Sequence, residues 1–147
     1  MSESGVVKTW PLAILRVEGA AILGASLWAY QRTGLSWWTF GACLLLPDIG
    51  MAGYIANTRA GAALYNSVHT ETPAIVLLCA GWARDSKPLA AAALCWLAHI
   101  GMDRMFGFGL KYGTAFGHTH LGMLGGGGGG GETSVQLPAE EGEGADN

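Results

Sequence analysis

His99-Ile100-Gly101-Met102-Asp103-Arg104-Met105-Phe106-Gly107-Phe108-Gly109-Leu110-Lys111-Tyr112-Gly113-Thr114 closes a long apolar run with ionisable side chains where apolar ones are expected. His99 and Asp103 are four residues apart, about one helical turn, so an imidazole and a carboxylate leave the same face of a helix. Arg104 lies about 100° further round and is separated from that pair.

The apolar run leading to this stretch covers residues 88–110, and three more of similar length precede it, at 10–30, 36–56 and 61–83. About 20 apolar residues at roughly 1.5 Å each cross the hydrocarbon core of a bilayer. The connectors Gln31-Arg32-Thr33-Gly34, Asn57-Thr58-Arg59-Ala60 and Arg84-Asp85-Ser86-Lys87-Pro88 are short and turn-forming, which makes successive helices antiparallel neighbours. Trp10, Trp28, Tyr30, Trp37, Trp38 and Trp82 fall near segment ends, at headgroup level. The sequence therefore predicts an all-α polytopic membrane protein, a four-helix transmembrane bundle occupying residues 1–124.

Composition agrees: 50% of the 147 residues are hydrophobic and 13% charged, against about 25% charged in ordinary soluble domains. Arg16 and Glu18 interrupt the first segment and argue against a cleaved signal peptide. Glu132, Glu140, Glu141, Glu143 and Asp146 belong to a tail, residues 125–147, that follows a run of glycines and is expected to be disordered. Without it the chain is slightly basic, and no basic patch points to nucleic acid. Cys43, Cys79 and Cys95 have no metal-binding or disulfide spacing and read as small buried hydrophobes. The bilayer is the expected partner, with the protein multi-pass in the cell membrane and both termini on one side. Lys8, Arg59 and Lys111 face Arg32, Arg84 and Lys87 across the membrane, so charge gives no orientation; the cytoplasmic side is preferred for the termini.

Every segment carries a polar group that a plain lipid-facing anchor lacks: Glu18, Asp48, then Asn66, His69 and Glu71, then His99, Asp103 and Arg104. At about 1.5 Å per residue, Glu18, Asp48 and His69 each lie about 12 Å from the side bearing the termini, His99 about 16 Å and Asp103 about 10 Å. One layer holds all five. Buried ionisable groups cost several kcal/mol unless paired or hydrated, so the layer is a functional candidate. Pro47 and Pro73 each free a carbonyl beside it, and Tyr65 stacks one turn before His69.

Three chemistries fit three carboxylates and two imidazoles: a divalent metal such as zinc, manganese or iron, a carboxylate-rich pair of redox metals, or metal-free proton or ion passage. The bland alternative pairs Arg104 with Asp103 or Glu18, sends Arg16 to the interface and leaves the histidines hydrogen-bonded in the core. His118 and His120 form a His-x-His in the loop after the last helix, on the side that could cap the site.

Pro47-Asp48, Tyr65-Asn66-x-x-His69-Thr70-x-x-Pro73 and His99-x-x-x-Asp103 leading into Tyr112-Gly113-Thr114 closely resemble a family of small bacterial integral membrane proteins known only as a domain of unknown function. The resemblance covers nearly all of residues 12–122, implies the bacterial inner membrane and brings no activity. More distantly, the order of motifs is similar to membrane-bound metal-dependent hydrolases, which implies a metal on Asp48, His69, His99 and Asp103. That family has an early histidine where this chain has Glu18, and two histidines in its third motif where this chain has Asn66 and His69.

The expectation is a metal-dependent hydrolase. Asp48, His69, His99 and Asp103 hold the ion, and Glu18 is a fifth ligand or the general base. Arg104, Lys111 and Asn66 contact a lipid or lipid-linked substrate. The competing expectation is a non-enzymatic membrane protein, an ion or small-molecule pathway or an assembly partner.

Overall fold

Residues 87–106 build the helix around which the others gather, and their spacing of small side chains explains why. In the structure, a computed structural model describing residue 7 and residues 9–123, the chain runs through α1 (Thr9–Thr33), α2 (Trp37–Leu44), a 3-10 segment (Leu46–Ile55), α3 (Thr58–Val68), α4 (Glu71–Ala83), α5 (Lys87–Phe106) and a hairpin of β1 (His118–Thr119) and β2 (Gly122–Met123). α5 buries Ala90, Ala91, Ala93, Leu94, Cys95, Leu97, Ala98, His99, Ile100 and Gly101. Its neighbours are chiefly α1 and α4.

Close approach of backbones makes this packing possible. A Cβ on Gly101 would stand 2.7 Å from both the Gly19 carbonyl oxygen and the Leu23 amide of α1, and one on Gly19 would stand 2.8 Å from the Gly101 carbonyl oxygen. Two glycines thus let α1 and α5 cross in backbone contact, as small residues do at helix interfaces in membranes. Gly101 is two residues from both His99 and Asp103, about 200° round the helix, so packing against α1 directs that pair toward α3.

The all-helical expectation holds for the four apolar segments, with two corrections to their continuity. The segment expected over 36–56 is α2 followed by a 3-10 segment, because Pro47 stands at its first positions and has no amide to continue the α-helical ladder. The segment expected over 61–83 is two helices, α3 and α4, separated at His69 and Thr70. Pro73 sits in the first turn of α4, where a proline is tolerated, instead of kinking a continuous helix. α5 stops at Phe106, short of 110: Gly107 adopts φ 91°, and the Phe108 amide returns to the Asp103 carbonyl at 2.8 Å.

The 3-10 segment lies on α3. A Cβ on Gly50 would be 2.7 Å from Val68 Cγ2 and 3.5 Å from Tyr65 Cα, so glycine there seats the segment directly against the helix that ends at His69. The Trp96 indole N–H of α5 donates to the Val68 carbonyl at 2.6 Å, satisfying an otherwise open carbonyl at the end of α3.

Two further expectations change. The stretch after α5 is an extended chain: Lys111 bridges Thr119, and β1 pairs antiparallel with β2 through His118 to Met123 and Thr119 to Gly122. Of the three cysteines expected in the interior, all free, Cys95 is buried, Cys43 is half-buried and Cys79 is exposed. The linker and acidic tail expected over 125–147 lie outside the described residues. Two helical stretches, Thr9–Thr33 and Trp37–Ile55, are long and apolar enough to cross a membrane. Large apolar side chains also face outward, among them Trp10, Val17, Trp38, Ile49, Ile55 and Trp82.

Candidate metal centre

Four side chains from three parts of the chain converge where α3 ends. Asp48 comes from the first turn of the 3-10 segment, His69 from the C-cap of α3, and His99 and Asp103 from one face of α5. The Nε2 atoms of His69 and His99 are 3.0 Å apart. Asp48 Oδ1 is 3.6 Å from each of them and Asp103 Oδ2 is 3.7 Å from each. At those distances the carboxylates face the imidazoles without hydrogen-bonding them.

The triangle formed by Asp48 Oδ1 and the two Nε2 atoms suits an ion. A point about 2.0 Å from all three corners exists for sides of 3.0, 3.6 and 3.6 Å, and about 2.0–2.2 Å is the length of a zinc bond to nitrogen or carboxylate oxygen. The histidine side chains are 4% and 1% exposed, whereas Asp103 is 16% and Asp48 36% exposed, so the cluster opens on the Asp48 side.

Hydrogen bonding fixes how His69 presents itself. Its Nδ1 lies 2.9 Å from the Tyr65 carbonyl oxygen, which can only accept, so Nδ1 carries the proton and Nε2 turns a lone pair toward the cluster. A backbone carbonyl in this role is a common support of a metal-ligating histidine. His99 Nδ1 is buried and has no partner. Tyr65 contributes twice more: its ring stacks on His69 with centroids 3.6 Å apart, and its hydroxyl donates to Asp103 Oδ2 at 3.1 Å.

The remaining candidates are placed differently. Glu18 is exposed on α1, and no described contact joins it to the cluster, so four members of the expected layer meet and the fifth does not. Arg104 pairs with Glu71, 3.1 Å from its Oε1, and not with Asp103 or Glu18. The Asn66 side chain is occupied by backbone: its Nδ2 donates to the Lys111 carbonyl at 2.9 Å and its Oδ1 accepts from the Lys111 amide at 2.7 Å. His118 Nδ1 meets the Thr114 hydroxyl at 2.7 Å, and His120 Nδ1 accepts from the Leu110 amide at 2.9 Å. Burial holds His120 below the usual histidine range.

Lys111 is the candidate whose surroundings could not be foreseen. The residue is 6% exposed, and its Nζ stands 3.5 Å from the Phe116 ring centroid, 4.4 Å from Tyr65 and 5.3 Å from Tyr54. Burial pulls its pKa below the ordinary lysine value, opposed by the charges of Asp103 and Asp48. An apolar cleft of about 270 Å³, lined by Cys43, Leu46, Pro47, Val68 and Trp96, includes the chain neighbours of Asp48 and His69 but none of the clustered residues themselves. A cleft of about 320 Å³ lined by Trp28, Arg32, Trp82 and Lys87 contains none of the clustered residues.

No curated protein and no solved structure matches the chain. One family does, over the part of the sequence that builds all five α-helices but the start of the first: matching residues 12–124, the chain belongs to the family described as Domain of unknown function (DUF4260).

Proposed function

We propose that this protein is a multi-pass membrane protein whose Asp48, His69 and His99 hold a divalent metal ion, and that it is a metal-dependent hydrolase acting on a lipid or lipid-linked substrate. The observation that carries the reading is the convergence of two imidazole Nε2 atoms and a carboxylate oxygen at separations of 3.0 and 3.6 Å. Nitrogen and carboxylate donors in this number suit zinc, manganese or iron. Such an ion would supply a water acidified toward neutral pH. Asp103, which faces both imidazoles and is held by the Tyr65 hydroxyl, would complete the set as a fourth ligand or hold a proton as a general base. Glu18, exposed on α1, has no part in this reading.

Membrane residence is supported by the two long apolar helical stretches and by outward-facing tryptophans, isoleucines and valines. The apolar cleft beside Pro47 and Val68 favours a substrate with an aliphatic portion. A purely structural role for the cluster is disfavoured. Neither Asp48 nor Asp103 has an arginine partner among the described residues, and the buried His99 Nδ1 is unsatisfied. Metal analysis of the detergent-purified full chain tests the proposal: near-stoichiometric ion in the wild type, lost in Asp48→Ala and His99→Ala, supports it. Wild type without metal, or variants with equal metal, would remove it.

A further inference from the structure

Lys111 is a mostly buried cation with aromatic neighbours, and no contact among the described residues gives its Nζ a hydrogen-bond acceptor. Its residue is 6% exposed and its Nζ lies over the rings of Phe116, Tyr65 and Tyr54. Ring faces attract an ammonium by their quadrupole but leave its three N–H groups unfilled. Asn66 grips the Lys111 backbone at both amide and carbonyl, so the side chain starts from a fixed point. Tyr65 connects the cage to the centre, since it stacks on His69, donates to Asp103 and carries the Lys111 ammonium on its ring.

Charge gives the cage its meaning. A divalent ion cancels the two carboxylates of Asp48 and Asp103, and the ammonium then leaves the loaded centre one positive charge in excess. That charge favours an anionic ligand. From this juxtaposition we infer that Lys111 is the anion-binding residue beside the centre, and that the ligand it receives carries a phosphoryl group. The inference rests on the metal reading above and narrows its substrate to phosphate esters. The aromatic cage positions the ammonium, and the Nζ protons fill with phosphoryl oxygens the hydrogen bonds that the rings cannot make.

The experiment titrates inorganic phosphate, and separately dihexanoyl phosphatidylglycerol below its micellar concentration, into the metal-loaded full chain in a nonionic detergent. The readouts are the lysine Nζ resonance of Lys111 and the binding isotherm. Wild type is expected to bind phosphate and shift the Nζ signal. Lys111→Met is expected to keep its metal and lose at least tenfold in phosphate affinity, with Lys111→Arg recovering part of it. Tighter binding of the lipid than of phosphate identifies a lipid phosphodiester as the source; equal binding shows that the phosphoryl group alone is recognised, as in a small water-soluble phosphate ester. Metal-loaded wild type whose Nζ signal ignores both ligands overturns the inference and leaves the metal centre standing, even if Lys111→Met fails to fold. Equal phosphate affinity in a folded, metal-loaded Lys111→Met does the same. Wild type that binds no metal removes both.

Discussion

The Nε2 atoms of His69 and His99 face each other at 3.0 Å, and the Tyr65 carbonyl bound to His69 Nδ1 fixes one of them as a lone pair. His99 then either donates to His69, stranding a bare Nδ1 in the core, or offers a second lone pair and strands an Nδ1 proton. An ion between the two nitrogens removes the lone-pair repulsion of the second arrangement.

In the proposed centre Tyr65 is a support and not a ligand. Tyr65→Phe keeps the ring stacked on His69 and removes only the hydroxyl bound to Asp103. Loss of such an outer partner lowers metal affinity about tenfold or more. Competition with a chelator measures it, and an unchanged affinity would show that the hydroxyl plays no part.

Asn66 serves the backbone of Lys111, so its removal should act on folding. Asn66→Leu strands the Lys111 amide and carbonyl, at about 1–3 kcal/mol for an unsatisfied buried group. Thermal unfolding in detergent should show a clear loss of stability. A variant as stable as wild type with weakened ligand binding would return Asn66 to the role of a direct substrate contact.

Gly101→Ala tests the crossing that orients His99 and Asp103. The new Cβ would press on the Gly19 carbonyl and the Leu23 amide, both backbone and 2.7 Å away, and overpacking of this kind costs about 1–3 kcal/mol. Lower stability together with reduced metal retention is expected, read by unfolding and metal analysis. A variant that keeps both intact would mean α1 and α5 do not set the geometry.

His120 links the hairpin to the end of α5 as a neutral acceptor for the Leu110 amide. Burial lowers its pKa below 6.5, so as pH falls through that value the unfolded chain binds a proton before the folded one does, and stability is lost. Stability measured from pH 7.5 to 5 should decline below about 6.5, and less steeply in His120→Gln. An identical decline in the variant would place the proton elsewhere.

Much of the centre is legible in the sequence because depth along a helix follows from counting residues. Asp48, His69, His99 and Asp103 are brought together as their shared level implies. Depth says nothing of azimuth, and Glu18, the neighbour of the Gly19 that meets α5, stays exposed. Pro47 and Pro73 mark the breaks, but whether a proline kinks a helix or begins a new one depends on the carbonyls around it, which spacing does not reveal. The cage on Lys111 needs Tyr54 and Tyr65, more than forty residues upstream, and Phe116 beyond the last helix. No local pattern joins those three.

The most direct measurement is X-ray absorption at the metal edge of the purified, zinc-loaded full chain. Two imidazole nitrogens and at least one carboxylate oxygen at about 2.0–2.2 Å are predicted, with the imidazole scattering reduced in His99→Ala. A spectrum without imidazole, or one unchanged by His99→Ala, would contradict a metal centre on Asp48, His69 and His99.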